Sequence, residues 1–213
     1  MKKKKIRYAT KSEFKREEVK QLLVMPIRDP RSGSMVPSSD LFEVEFYDVQ
    51  LAEPLERDIT VMVRHKVMSA YRGVMAPVVV EHAGLVLDGH AKENYPGGLT
   101  QPIWDAMTPE NFAKSMMWAG TRAVARALVG YCDGMKIHCF AGETPGTLVD
   151  APRGDRHFYW DTIFCPDGGG DLTYAEIAAS DLSKKVELSQ STKAMRKLFD
   201  HLLSETNRMF AEY

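Results

Sequence analysis

This sequence of 213 residues has few cysteines, almost no excess of either charge and no long apolar run. Its three cysteines, Cys132, Cys139 and Cys165, lack CxxC spacing, which argues against a disulfide framework and structural zinc and favours a reducing, cytoplasmic location. No apolar run approaches the roughly 18 residues of a membrane span. None follows the basic N-terminus, so a signal peptide is not expected.

The positive and negative charges nearly cancel and leave a formal net charge of -1. No global field is therefore expected to recruit nucleic acid. The lysines at positions 2–5 are a local exception, interpreted as a solvated segment ahead of the first strand. The alternative, an anchor for phosphates or anionic lipid, lacks an amphipathic helix. The length suits one core, so residues 1–213 are expected to form a single α/β domain.

Hydrophobic periodicity alternates between strand and helix along the chain, which predicts an α/β fold with a mixed sheet. Strands are predicted at residues 5–10, 42–49 and 77–87, and a hairpin at 131–142 and 146–149 around GETPG. Helices are predicted at residues 11–23, 58–71, 109–128, from 173 onward and at 191–213. Residues 28–40 are predicted to form a polar loop and residues 155–164 an aromatic-rich loop.

The first strand-to-helix junction, ATKSEFK, has the features of an anion site. Ser12 is the expected N-cap, and the free N–H groups of a helix N-terminus attract phosphate. Lys11 and Lys15 lie one turn apart and could add charge. The alternative is a capped helix without a ligand. The motif is not a P-loop, because GxxxxGK is absent.

Two further stretches carry candidate chemistry. In VVVEHAG, an apolar strand is interrupted by Glu81 and His82. In the segment from Pro152 to Gly168, the aromatic run 158–160 stands beside Asp161. Aromatic rings stack on bases, and a carboxylate can accept N–H protons or hold a metal. The alternative for the aromatic run is a small core packed under a loop.

Three segments together resemble the inosine triphosphate pyrophosphatase family, which cleaves non-canonical purine nucleoside triphosphates. ATKSEFKREEV resembles the family's T-x-N-x-x-K-x-x-E signature, and PVVVEHAGLVLDG resembles its P-V-x-V-E-D-S/T-G-L segment. GETPGTLVDAPRGDRHFYWDTIFCPDGGGDLTYAE resembles the long segment that contains P-R-G, F-G-W-D and T-Y/F-A-E. The resemblance runs over nearly the whole chain. It implies an elongated mixed sheet in two lobes flanked by helices, a nucleotide cleft between the lobes, Mg²⁺ as cofactor and a homodimer.

The resemblance also implies roles for individual residues. Glu81 matches the first acid of the family's E-D pair, and Glu53 matches a metal-binding acid. The remaining matches are positions that contact the nucleotide: Thr10, Ser12, Lys15 and Lys66 near the phosphates, and Phe158, Trp160, Asp161 and Lys185 near the base.

Several positions depart from the family pattern at the catalytic corner. His82 stands where the family has the aspartate of E-D, and Mg²⁺ prefers oxygen ligands to an imidazole. Ala83 replaces a Ser or Thr, and Ser12 replaces a phosphate-contacting Asn. The triplet at 189–191 is SQS instead of S-H-R, which alters base readout.

Two functions are consistent with this pattern. The favoured hypothesis is a catalytically impaired sensor that binds ITP or dITP and acts with an effector protein, by conjecture in antiviral defence. The alternative is an active Mg²⁺-dependent pyrophosphatase, since histidine can serve as a general base. The insertion-like loop at 28–39 is expected to lack secondary structure, to be mobile in the free chain, and to be ordered, if at all, by a partner or the second subunit. The alternative is a tolerated surface insertion.

Overall fold

The computed structural model describes residues 3–117 and 122–204. The strands in this part of the chain are β1 (Lys4–Ala9), β2 (Pro26–Arg28), β3 (Met35–Pro37), β4 (Phe42–Tyr47), β5 (Val78–Leu87), β6 (Arg122–Cys132), β7 (Ile137–Leu148) and β8 (Phe164–Pro166). The helices are α1 (Glu13–Val24), α2 (Ser38–Leu41), α3 (Ile59–Val74), α4 (Thr100–Asp105), α5 (Pro109–Met117), α6 (Tyr174–Ser180), α7 (Leu182–Leu188) and α8 (Gln190–Ser204). Three 3-10 helices span Asp88–Glu93, Gly97–Leu99 and Arg156–Thr162.

Six strands form one mixed sheet in the order β4-β1-β5-β6-β7-β8. Strand β1 is parallel to both neighbours, whereas β5 to β8 are antiparallel. Helices flank the sheet, so the predicted α/β fold with a mixed sheet is confirmed. The single domain spanning residues 1–213 stays a prediction. Among the residues that the structure describes, no helix has the length and apolar character needed to cross a membrane.

The topology creates a crevice at the end of β1. The chain leaves β1 through α1 towards β4 on one side and returns through α3 to β5 on the other. Ligands of open α/β sheets bind at such a switch point, outside the carboxyl ends of the strands. Strand β5 registers with β1 only at the pair Tyr8–Val79. The part of β5 beyond Val79, which carries Glu81 and His82, is therefore free of β1 and borders the crevice.

Three apolar clusters hold the elements together. One joins β1, β4 and α8 and contains stacked Phe42 and Phe199, whose ring centroids are 4.3 Å apart. A second gathers Trp104, Phe164 and other residues around α4, α5 and β8. The third packs α3 on β5 and β6. The crevice lies where elements from all three clusters meet.

The predicted helix at 109–128 is wrong in its second half. Helix α5 ends at Met117, and β6 begins at Arg122. Alanine and arginine favour helices, but in β6 they pair with both neighbouring strands. Tertiary pairing overrides the weak local preference, and the small alanines 123, 125 and 127 are fully enclosed.

The predicted hairpin around GETPG is also wrong. Residues 137–148 form one continuous strand, and the turn lies between Cys132 and Ile137. The glycines of GETPG do not make a turn; they allow close approach of other backbone. A Cβ on Gly142 would lie 2.0 Å from the carbonyl oxygen of Gln190, and one on Gly146 would lie 2.3 Å from that of Cys165.

The predicted structureless loop at 28–39 is wrong as well. Strands β2 and β3 pair there as a small antiparallel hairpin, followed by α2. Asp29 stabilises the turn, since its backbone oxygen accepts from Gly33 at 2.8 Å and its side chain accepts from Arg31 at 3.0 Å. The predicted loop at 155–164 contains a 3-10 helix instead. Helix α8 confirms the start of the last helix, whereas positions 205–213 lie outside the described residues.

Candidate active site

A cleft of about 510 Å³ opens at the end of β1. It brings together ten of the predicted site residues: Ser12, Lys15, Glu53, Lys66, Glu81, His82, Phe158, Trp160, Asp161 and Lys185. Thr10, the remaining predicted residue, is buried beneath the junction, where its hydroxyl accepts from the backbone N–H of Ser12 at 3.2 Å. Thr10 therefore shapes the loop that carries Ser12.

Helix α1 begins at the cleft and directs one lysine into it. Ser12 is the N-cap, as predicted, and its hydroxyl accepts from the N–H of Lys15 at 3.4 Å. The Lys15 ammonium donates to the backbone oxygen of Glu81 at 3.2 Å and lies 3.6 Å from its carboxylate. Lys11 instead lies near Asp48, at 3.5 Å, outside the cleft lining. Only one of the two lysines of the predicted anion site therefore faces the cleft.

The Glu81 carboxylate is 4% exposed, and each of its oxygens accepts one side-chain hydrogen bond. It accepts from the Tyr8 hydroxyl at 3.0 Å and from the Ser191 hydroxyl at 2.8 Å. Burial opposes ionisation, but the charge of Lys15 and these hydrogen bonds lower the pKa of Glu81. Tyr8 and Ser191 were not recognised as donors from the sequence, because each is brought to Glu81 by pairing or packing of distant segments.

His82 is fixed by one hydrogen bond and faces a carboxylate. Its Nε2 atom lies 3.2 Å from the backbone oxygen of Gly98, which can only accept, so Nε2 carries the hydrogen. Its Nδ1 atom lies 3.6 Å from Glu53. Burial and the nearby charge of Lys66 lower the pKa of His82, although the Glu53 carboxylate, which would accept from the protonated ring, raises it. The lowered pKa favours the neutral imidazole, in which Nδ1 carries a lone pair, and protonation of Nδ1 would make it a donor to Glu53.

Lys66 and Glu53 form the second ion pair of the cleft. The ammonium of Lys66 lies 3.0 Å from Glu53 and is almost fully buried. Burial, with repulsion from Lys15, lowers the pKa of Lys66 to about 8. Burial opposes ionisation of Glu53, but bonds with His82 and Lys66 hold its pKa at about 2.

A close backbone approach positions the loop that carries Glu53. A Cβ on Gly84 would lie 2.1 Å from the carbonyl oxygen of Gly97, so β5 can contact the turn at 97–98 only because residue 84 is glycine. The turn also holds the loop between β4 and α3, which carries Glu53, since the N–H of Gly98 donates to the backbone oxygen of Arg57 at 2.9 Å. The same Gly98 carbonyl orients His82.

A buried group of charges lies at the other end of the cleft. Lys185 donates to Glu18 and lies 3.1 Å from Asp161, and its ammonium is 5.2 Å from the ring centroid of Tyr174. Burial alone would lower the pKa of Lys185, but Asp161 and Glu18 raise it well above its usual value. Glu18 was missed in the sequence, because an acid on a charged amphipathic helix carries no signal of a distant partner.

The aromatic run at 158–160 divides between core and cleft. Trp160 is 6% exposed and belongs to the second apolar cluster. Phe158 packs on Phe14 of α1, at 4.8 Å between ring centroids. Tyr159 is 44% exposed and lines the cleft. The alternative of packing therefore describes Trp160 and Phe158, and ligand contact stays a prediction for this run.

The triplet at 189–191 connects the two ends of the cleft. The side-chain oxygen of Gln190 accepts from the Tyr174 hydroxyl at 3.1 Å, beside Lys185. The next residue, Ser191, donates to Glu81 at the opposite end.

Comparisons with known proteins agree on one family. The model of the Ham1 family matches residues 6–201. A dITP/XTP pyrophosphatase of Methanopyrus kandleri is 29% identical over 195 residues, 91% of this chain and 93% of the relative. An inosine triphosphate pyrophosphatase of Trypanosoma cruzi is 31% identical over 160 residues, 74% of this chain and 79% of the relative.

Solved structures share the fold. A Ham1 protein from Coxiella burnetii superposes with a TM-score of 0.71 at 18% identity, over 94% of this chain and 99% of that one. The Staphylococcus aureus Ham1 protein gives a TM-score of 0.66, also at 18% identity, over 93% and 98%. The matched family model, the curated relatives and the shared fold agree with the motifs in the sequence, and the chain belongs to the Ham1 family of inosine triphosphate and dITP/XTP pyrophosphatases.

Proposed function

We propose that this protein is an active Mg²⁺-dependent pyrophosphatase that converts ITP, dITP or XTP to the nucleoside monophosphate and pyrophosphate. One observation carries the proposal: a single cleft holds cations and carboxylates at one end and aromatic side chains with Lys185 and Asp161 at the other. This is the alternative of the sequence analysis, and it is better supported than the sensor, because the relatives named above are pyrophosphatases.

The cationic end suits the triphosphate. Lys15 lies at the start of α1, where free backbone N–H groups add positive potential. Lys66 stands in a buried position, where charge interactions are screened less than at the surface. Both ammonium groups are paired with carboxylates in the free protein. Phosphate oxygens would take over these contacts when the nucleotide binds.

The donor set in the cleft suits Mg²⁺. Within residues 3–117 and 122–204, no group of three or more His, Cys, Asp or Glu side chains is arranged to hold a metal by itself. Mg²⁺ does not require one, since it is commonly bound by one or two carboxylates together with substrate phosphates and water. Glu53 and Glu81 are the carboxylates that would hold it. When bound, the ion would neutralise charge on the phosphates.

Hydrolysis also requires a group that takes a proton from the attacking water. The Glu81 oxygens already accept from two hydroxyl groups, which lowers their basicity. The Nε2–H of His82 is committed to Gly98, so Nδ1 is the atom that can accept a proton. We assign His82 this role, with Glu53, 3.6 Å from Nδ1, stabilising the imidazolium that forms. The histidine that replaces the family's aspartate thus has a catalytic use.

The distinguishing experiment measures binding and turnover together. The protein is incubated with Mg²⁺ and ITP, dITP, XTP, ATP or GTP, and monophosphate and pyrophosphate are quantified. We expect turnover of the first three on the order of 10 s⁻¹, a typical enzyme rate. Lys15→Met is expected to bind and cleave poorly. Tight ITP binding by the wild-type protein without pyrophosphate release would refute the proposal and restore the sensor hypothesis.

Partners beyond the nucleotide stay predictions. A homodimer follows from the family resemblance, and an effector protein is required only by the sensor hypothesis. Size-exclusion chromatography with light scattering tests the first, since a monomer mass of 24.0 kDa would rule out the dimer.

A further inference from the structure

Tyr159 has a backbone conformation that residues with a side chain rarely adopt. Its φ is 53° and its ψ is -135°. The two other non-glycine residues with positive φ in the described part of the chain, Met75 and Asn94, have ψ values of 32° and 41°, within the ordinary left-handed region. The combination at Tyr159 falls outside that region, so its backbone is strained.

The neighbours of Tyr159 hold it in this conformation. Its carbonyl oxygen accepts from the Thr162 hydroxyl at 2.7 Å. Trp160, directly after it, is anchored in the core, and its carbonyl accepts from the N–H of Ile163 at 3.0 Å. Phe158, directly before it, packs on Phe14. Strain of this kind persists only where the surroundings impose it, and such residues cluster at ligand sites.

The conformation places an aromatic ring at the cleft. Tyr159 lines the cleft and is 44% exposed, whereas Trp160 beside it is 6% exposed. The contact of Tyr159 with Phe14 is edge-to-face, at 6.2 Å and 85°, which covers less ring surface than stacking does. A ring exposed at a cleft can be covered by a flat, partly apolar ligand. A purine base has that shape and chemistry.

We propose that Tyr159 is a base-binding residue that stacks on the purine base of the bound nucleotide. The inference rests on the proposed function, because it takes the ligand to be a nucleoside triphosphate. Trp160, which also lines the cleft, offers less ring surface for this role, since it is 6% exposed and belongs to the second apolar cluster. Base binding would bury the exposed ring that this strained backbone places at the cleft.

The test compares Tyr159→Gly with Tyr159→Phe. Calorimetry in Mg²⁺ buffer measures binding of α,β-methylene-ITP, which lacks the cleavable bridge, and of inorganic pyrophosphate, which lacks a base. Loss of one stacked ring weakens base binding roughly tenfold to hundredfold. We expect Tyr159→Gly to lose that much affinity for the analogue and to keep pyrophosphate affinity within about twofold. Tyr159→Phe keeps the ring and retains both affinities.

A stability measurement tests the strain separately, because Tyr159→Gly is expected to stabilise the free protein and to weaken binding. Glycine adopts positive φ without a steric penalty, so Tyr159→Gly is expected to raise the urea midpoint of the free protein while it weakens analogue binding. Unchanged analogue affinity in Tyr159→Gly, an equal loss for both ligands, or a loss in Tyr159→Phe overturns the inference. A lowered urea midpoint overturns the strain assignment. None of these results depends on pyrophosphate release by the wild-type protein, whose absence would instead refute the proposed function.

Discussion

Replacing Lys185 with methionine tests the buried charges at the base end of the cleft. The Lys185 side chain is 5% exposed, and its partners Glu18 and Asp161 are 17% and 14% exposed. Methionine has a similar length but no charge. The variant would leave two carboxylates enclosed beside each other without a cation.

The magnitude follows from the cost of an unpaired buried charge. Removing one partner of a buried ion pair costs about 3–5 kcal/mol. Whole domains are stable by about 5–15 kcal/mol, so the variant loses a large part of its free energy of unfolding. Burial already raises the pKa of Glu18, and Lys185 counteracts that effect. Without the lysine the pKa of Glu18 rises further. An acid with a raised folded-state pKa loses stability as pH increases, so the deficit is larger at pH 8 than at pH 5.

Urea denaturation followed by circular dichroism at pH 5 and pH 8 measures these differences. Lys184→Met is the matched control, because Lys184 is the exposed neighbour on the same helix. The double variant Glu18→Gln, Lys185→Met removes one of the two carboxylates and is expected to recover part of the loss. A deficit below about 1 kcal/mol for Lys185→Met at pH 8, the range of surface pairs, would refute the reasoning. A deficit that grows at pH 5 would refute the assignment to Glu18.

Two further predictions concern the phosphate end. His82→Asp restores an oxygen ligand for Mg²⁺. We expect the Mg²⁺ concentration that gives half-maximal pyrophosphate release to fall about tenfold, since substitutions near a bound metal commonly change its affinity by that much. His82→Asn, neutral and similar in size, is expected to lose activity; equal Mg²⁺ curves for Asp and His would contradict the prediction. In metal-free buffer, affinity for inorganic tripolyphosphate is expected to fall as pH rises through about 8, where Lys66 loses its charge. Lys66→Arg remains charged above that pH, and an identical pH profile in this variant would exclude Lys66 as the titrating group.

The sequence predicted most of the cleft because its residues occupy local motifs. Ser12 and Lys15 are set by one helix start, and Glu81 and His82 by one strand. The contacts between motifs could not be predicted, since Glu18 meets Lys185 only after α1 and α7 pack together. The fold errors have similar causes.

The errors in β6 and β7 show which local signals failed. In β6, alanine has a high helix propensity, but in the fold its side chain is the one small enough for an enclosed strand. In β7, Gly142 and Gly146 are of a residue type that favours turns, but in the fold they make room for Gln190 and Cys165. In both strands the decisive neighbour comes from elsewhere in the chain, so no local pattern identifies it.

The first turn of α8 has a consequence for how the ligand is recognised. The Gln190 side chain is hydrogen-bonded to Tyr174 beside the base end, and the Ser191 hydroxyl is hydrogen-bonded to Glu81 at the phosphate end. A displacement of this turn by one part of the ligand therefore changes the contacts of the other part. Groups that share partners in this way have non-additive free energies. Linking two ligand groups changes their joint affinity even without such coupling, so the informative quantity is the difference between the binding free energy of the nucleotide and the sum for nucleoside and pyrophosphate. Ser191→Ala is expected to change that difference. The protein would then distinguish between bases through the contacts of both ends of the cleft together, and not through the base end alone.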